Sequence, residues 1–218
     1  MSKVLVVAVH PDDETLGCGG TLLKHKADGD EINWLICTEL NNGHPMKKLR
    51  EEQIASVSKK FGFESIHELN LKTCNVDQYT VSELVERISA VFNEVQPDTV
   101  YLPFKNDVHS DHRHIFEAAY SCTKSFRYPF LKKILMMETL SETEFAPSLA
   151  SDTFVPNVFV DIGNEFDKKV DIMKVYESEV AAFPFPRSIK NIEALATLRG
   201  AISGCSHAES FMLLKEIR

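Results

Sequence analysis

The sequence predicts an α/β fold: a mostly parallel sheet with helices on both faces and a site at the C-terminal ends of the strands. Three observations carry this expectation. Short β-branched and aliphatic runs alternate with longer stretches of helical periodicity. The first run, Val4–Val9, is apolar at every position, as a central strand covered on both faces requires. Two clusters of histidines and carboxylates each follow a strand-like run and open a helix-like one.

The elements follow in order. After the first strand, helical spacing runs from Glu14 to Lys26, with Leu16, Leu22 and Leu23 apolar, and Gly29 ends it. Ile32–Cys37 reads as a second strand. A polar loop, Thr38–Pro45, leads to a helix over Met46–Phe61 closed by Gly62, and Ser65–Leu69 is a short strand. Val81–Glu94 carries Leu84, Val85, Ile88, Val91 and Phe92 on one stripe, which marks an amphipathic helix. Pro97-Asp98 turns the chain into a strand at Thr99–Leu102, followed by a helix over Asp111–Lys124. Lys132–Glu138 and Asn157–Ile162 read as strands, Phe166–Val180 and Ile192–Ser203 as helices.

The chain has 218 residues and a formal net charge of −8, long enough for one sizeable core. With no repeat, low-complexity tract or Gly/Ser linker, residues 1–218 read as one Rossmann-like domain. The acidic balance disfavours binding to nucleic acid. No apolar stretch is long enough for a membrane span, and Val4–Val9 stops at His10 without a small-residue cleavage site. Five scattered cysteines argue against a disulfide framework and fit a reducing cytoplasm.

Right-handed crossovers put every strand's C-terminal end on one edge, so the segments after the first and fourth strands meet there. The first is His10-Pro11-Asp12-Asp13-Glu14, whose three adjacent carboxylates repel one another unless a cation lies among them. The second is His109-Ser110-Asp111-His112-Arg113-His114, with His109 and His112 on one face of a first helical turn. Taken alone, each is also compatible with an ordinary polar helix start. Together they offer His10, Asp13 and His112 as three ligands with a fourth position open, the pattern of a catalytic zinc site. Iron(II), cobalt or manganese would be accepted by the same donors. Asp12 and His109 remain at the same mouth as an acid/base pair. Gly17-Cys18-Gly19-Gly20 fails as a dinucleotide fingerprint, because Leu22 stands where a glycine is needed. These glycines are read as close-approach positions of the first helix.

At these residues the chain resembles the PIG-L/LmbE-like zinc-dependent N-acetylglucosamine deacetylases. Ala8-Val9-His10-Pro11-Asp12-Asp13-Glu14 is similar to the family's AHPDDE motif, with Val9 between the alanine and the histidine. His109-Ser110-Asp111-His112 resembles its HPDH motif, with Ser110 for proline, and Arg199-Gly200 and Ala208-Glu209-Ser210-Phe211 are also family-like. The resemblance implies that His10, Asp13 and His112 hold zinc and that Asp12 is the general base toward water. It implies that His109, oriented by Asp111, acts as general acid or stabilises the oxyanion. Glu14 takes a supporting or substrate-contact role, and Arg50 matches a position that often faces the sugar, though a solvated helix residue is an equal reading. Asp107 stands where some members carry a tyrosine.

The implied activity is hydrolysis of an acetyl group from an N-acetylated sugar conjugate, a small-molecule substrate, releasing acetate and an amine. The alternatives are a catalytically silent sugar-binding relative and an amidohydrolase acting on a non-sugar N-acyl amine. The retained acid, base and ligand residues favour the enzyme. Loops 38–46, 71–80 and 139–156 are expected to wall the pocket without assigned roles, and Phe183-Pro184-Phe185-Pro186-Arg187 reads as a rigid turn or a subunit contact, with a lid or an acceptor-binding rim as the alternative. A homo-oligomer is compatible with the sequence. The remaining histidines are read as structural or solvated, except His44, whose loop should overhang the site, and the cysteines as core or inert.

Overall fold

The computed structural model describes residues 1–218. The chain runs β1 (Lys3–Ala8), α1 (Asp13–Ala27), β2 (Glu31–Glu39), α2 (Lys47–Phe61), β3 (Ser65–Lys72), α3 (Val81–Val95) and β4 (Thr99–Leu102). It continues α4 (Ser110–Ser121), β5 (Lys133–Met137), β6 (Val158–Asp161), α5 (Phe166–Met173), α6 (Ile189–Ser203) and β7 (Ala208–Glu216). Single 3-10 turns lie at Val76–Gln78 and Glu177–Glu179. No helix is long and apolar enough to cross a membrane.

Strand alternation builds two cores from one sheet. Val4, Val6 and Ala8 of β1 face one side, with Trp34 and residues of α1, α2, α5 and α6. Leu5 and Val7, with Val9 just beyond the strand, face the other side with α3 and α4. The two-residue period of a strand allows this only where both faces are covered. Local signals fix the helix ends. Thr80 and Glu83 form a reciprocal capping box at the start of α3, and Gly62 ends α2 in the left-handed region at φ 76°.

The seven strands are ordered β3-β2-β1-β4-β5-β7-β6. β1 through β5 are parallel, and β7 runs antiparallel to both β5 and β6. The chain lays β2 and β3 on one side of β1, then returns to place β4 on the other. The reversal opens a crevice beyond the C-terminal ends of β1 and β4, where open α/β sheets build their sites.

Three elements depart from the sequence reading. β7 carries the longest antiparallel pairing and was unassigned, although Phe211–Leu214 is a short apolar run bounded by polar residues. α5 stops at Met173, because the following turn sends Tyr176 into the core instead of continuing the helix to Val180. α6 begins at Ile189, with the Ser188 hydroxyl accepting the Asn191 N–H. The glycines of α1 are close-approach positions: a Cβ on Gly17 would lie 2.7 Å from Met137 Sδ, and one on Gly20 2.7 Å from Ile162.

Candidate active site

The turn between β1 and α1 is held by its own polar groups. The His10 N–H donates to Asp13 Oδ2 (2.8 Å), and the Asp12 N–H donates to Glu14 Oε2 (3.1 Å). The Asp12 carbonyl accepts the first helical amides, from Thr15 and Leu16. Asp12 takes φ 141°, a conformation that L residues rarely adopt and that persists only where the surroundings impose it. Across the crevice, His109 caps α4: its Nδ1 accepts the Asp111 N–H at 3.1 Å.

These turns bring His10, Asp13 and His112 together. His112 Nε2 lies 3.3 Å from His10 Nδ1 and 3.3 Å from Asp13 Oδ2, and His10 Nδ1 lies 3.8 Å from Asp13 Oδ2. A tetrahedral ion with bonds of about 2.0–2.1 Å separates its ligand atoms by about 3.3 Å. The outer nitrogens are already engaged. His112 Nδ1 contacts Asp107 Oδ2 at 2.8 Å, and Asp107 also accepts from the Thr143 hydroxyl at 2.7 Å. His10 Nε2 faces Asp111 Oδ2 at 3.4 Å. With both outer nitrogens turned to carboxylates, the inner nitrogens point at each other and at Asp13. One positive charge is needed among them. Burial alone would lower His112, but Asp13 and Asp107 raise it to about 9, so a second proton supplies that charge when no ion does. The donor set, two imidazoles and a carboxylate with carboxylate support behind each ring, fits a divalent metal.

The cluster opens into a cleft of about 230 Å³. His10, Asp12, Asp13 and His109 line its floor, while Arg50, Glu142, Glu179 and Arg187 line its walls. Leu40 and Pro11 are the only apolar side chains among the eleven lining residues. Burial, and then the neighbouring Asp13, push the Asp12 carboxyl well above the ordinary carboxylate range. Burial and His10 hold His109 down at about 4. The His109 ring is therefore neutral near pH 7. Because its Nδ1 accepts a backbone N–H, its own proton sits on Nε2.

One expectation is corrected. Asp111 does not orient His109 through its carboxylate; the Asp111 backbone N–H does so, while the carboxylate takes His10 and the amides of Cys74 (2.7 Å) and Val76 (3.3 Å). Glu14 supports the turn, accepting the Asp12 N–H, and is not among the residues that line the cleft. It is fully buried and away from the cleft, held by the hydroxyls of Thr15 and Tyr176 (2.9 Å). Burial pushes its carboxyl up to about 7 against those hydrogen bonds.

Arg50 does line the cleft. It donates to the Pro11 carbonyl (2.7 Å) and to Glu179. From the Phe183–Arg187 segment, which carries no single role in the sequence reading, Arg187 reaches the cleft; its guanidinium bridges Glu179 (3.0 Å) and the Ser141 hydroxyl (3.0 Å) and lowers Asp12 electrostatically. Sequence reasoning missed Glu142, Glu179 and the support given by Asp107. Each unassigned loop sends one residue to the cleft: Leu40, Thr73 and Glu142. His44 stays outside, accepting the Met46 N–H. Cys74 is exposed at the mouth with Sγ 3.9 Å from His109 Nε2, so it is not a core cysteine.

An α/β sheet with an imidazole–carboxylate cluster at its switch point could hold a divalent cation beside an open cleft. Residues 5–123, more than half of the chain, match the PIG-L family, described as GlcNAc-PI de-N-acetylase, and the chain belongs to that family. A diacetylchitobiose deacetylase of Thermococcus kodakarensis is 24% identical over 233 residues, covering 100% of this chain and 85% of that protein. The structure of N,N'-diacetylchitobiose deacetylase from Pyrococcus horikoshii superposes with a TM-score of 0.78 at 20% identity, over 98% of this chain and 84% of that one. A 4-carboxy-2-hydroxymuconate hydratase from Pseudomonas putida shares the fold with a TM-score of 0.78 at 17% identity, over 100% and 98% of the chains. The fold thus hosts more than one way of using water, and the site must decide between them.

Proposed function

We propose that this chain is a zinc-dependent amidohydrolase that removes the acetyl group from an N-acetylglucosamine-type sugar conjugate, releasing acetate and a free amine. The observation that carries this reading is the opposed pair of imidazole nitrogens, His10 Nδ1 and His112 Nε2, 3.3 Å apart beside Asp13. In this reading residues 1–218 act as one domain, and those three residues hold the metal. When bound, the cation supplies Lewis acidity toward water and the acetyl carbonyl.

The chain's own groups do the rest. Asp12, on the cleft floor, takes the proton of the attacking water and later returns it to the departing amine. His109 donates from Nε2–H, as a neutral ring, to the oxygen of the carbonyl carbon under attack. A preorganised donor of this kind contributes on the order of 3 kcal/mol. Arg50 and Arg187, fixed against Glu179, present polar edges to the hydroxyls of a sugar. The polar lining favours such a substrate over an apolar N-acyl amine.

The test is acetate release, with mass spectrometry for loss of an acetyl group, across N-acetylglucosamine conjugates and non-sugar acetamides. Wild type is expected to deacetylate the sugars. Asp12→Asn is expected to bind metal as wild type does and to lose roughly 10²- to 10⁴-fold in turnover. Stoichiometric metal with no acetate from any sugar would turn the reading toward a binding protein.

A further inference from the structure

The break in α1 and the family-like C-terminal segment meet at one place that the reaction above does not use. Cys18 leaves helical geometry inside α1, at φ −147° and ψ 21°. In an unbroken helix the Gly20 N–H would donate to the Leu16 carbonyl, and the Thr21 N–H to that of Gly17. Here the Gly20 N–H donates to Glu209 Oε1 (2.8 Å) and the Thr21 N–H to Glu209 Oε2 (2.7 Å). The Leu16 carbonyl accepts from Lys169 Nζ at 2.9 Å. Lys169 Nζ and Glu209 Oε1 join at 2.7 Å, which closes the circuit. An ion pair from α5 and β7 therefore replaces the hydrogen bonds that the break disrupts.

Lys169 and Glu209 are 4% and 5% exposed. Pairs so buried are seldom worth more to stability than a well-packed apolar pair, because desolvation opposes their attraction. This one satisfies orphaned backbone groups at both sides of a helix break, as a cap does at a helix end. The segment it secures, Asp13–Gly17, begins at the cleft and carries Asp13, with Asp12 at its entry. Gly17 and Gly20 press that region against Met137 and Ile162. The break sets the direction of the segment separately from the rest of α1.

We propose that Lys169 and Glu209 are positioning residues for the reaction: they fix the Asp13–Gly17 segment and thereby the Asp12 and Asp13 carboxylates. The inference rests on the amidohydrolase reading above. Its test uses Glu209→Gln, which keeps the shape and removes the charge, with Lys169→Arg as the conservative rescue and Lys169→Met as a second disruption. Val91→Ala, on the core face of α3, is the control for a general loss of stability. Three quantities are read: Co²⁺ affinity with its visible spectrum, kcat and KM for acetate release, and amide hydrogen exchange of the peptide spanning His10–Gly20.

Glu209→Gln is expected to weaken Co²⁺ binding and lower kcat roughly tenfold each, with KM nearly unchanged and faster exchange confined to that peptide. Lys169→Arg is expected to stay near wild type. If Glu209→Gln loses stability as Val91→Ala does but keeps wild-type Co²⁺ affinity, kcat and local exchange, the positioning role is overturned. Should Lys169→Met fail to fold, Glu209→Gln decides alone. Should wild type bind Co²⁺ yet release no acetate, the substrate reading fails while the Co²⁺ and exchange measurements still judge the positioning pair.

Discussion

At the residue scale the site turns on where imidazole protons are held. Asp107 and Asp111 engage the outer nitrogens of His112 and His10, and this leaves the inner nitrogens and Asp13 around one shared positive charge. Such carboxylate–histidine pairs orient the ring and raise its basicity toward a metal. Asp107→Ala is therefore expected to weaken zinc binding roughly 10- to 100-fold, measured by competition with a chelator. The pH dependence follows from His112. In the metal-free protein it is raised to about 9, so at pH 7 its ring carries the extra proton that an incoming ion must displace. Metal affinity should rise up to about tenfold per pH unit as pH climbs toward 9, then level. Affinity independent of pH between 7 and 9 would contradict this protonation scheme.

At the element scale, β1 and β4 deliver the two motifs, and α1 ties them to the rest of the sheet. Gly20 shows how tight this is, since an added Cβ would meet Ile162 at 2.7 Å. Gly20→Ala is expected to cost about 1–3 kcal/mol, read from urea denaturation. Thr80→Ala removes the α3 capping box, whose residues do not line the cleft, and should cost about 1 kcal/mol without changing acetate release. Much of this was legible in the sequence. β1, α1, β4 and α4 carry strong local signals, and their motifs stand directly at the strand ends. β7 was not legible, because its pairing with β5 and β6 is long-range and its outer half is only partly buried. Glu209 had no assigned role for the same reason, since it meets Gly20 and Thr21 from 188–189 residues along the chain, while Arg187 and Glu142 stand in loops without periodicity.

At the scale of the whole molecule, the reversal of strand order between β1 and β4 brings two helix starts to one crevice, where His10 and His112, 102 residues apart in the chain, come into contact. The net charge of −8 includes the carboxylates gathered there, so it reflects the demands of a cation as much as any partner. An ion that binds only the folded chain stabilises it; at a hundredfold excess over its Kd the gain is about 2.7 kcal/mol, seen as a rise in Tm. The central claim is that the His10–Asp13–His112 cluster makes this chain a metal-dependent N-deacetylase. Its most direct test is acetate release from an N-acetylglucosamine conjugate by chelator-stripped protein before and after zinc is restored. The account predicts no measurable release from the stripped protein and recovery at about one equivalent of zinc. Equal rates with and without metal would contradict it.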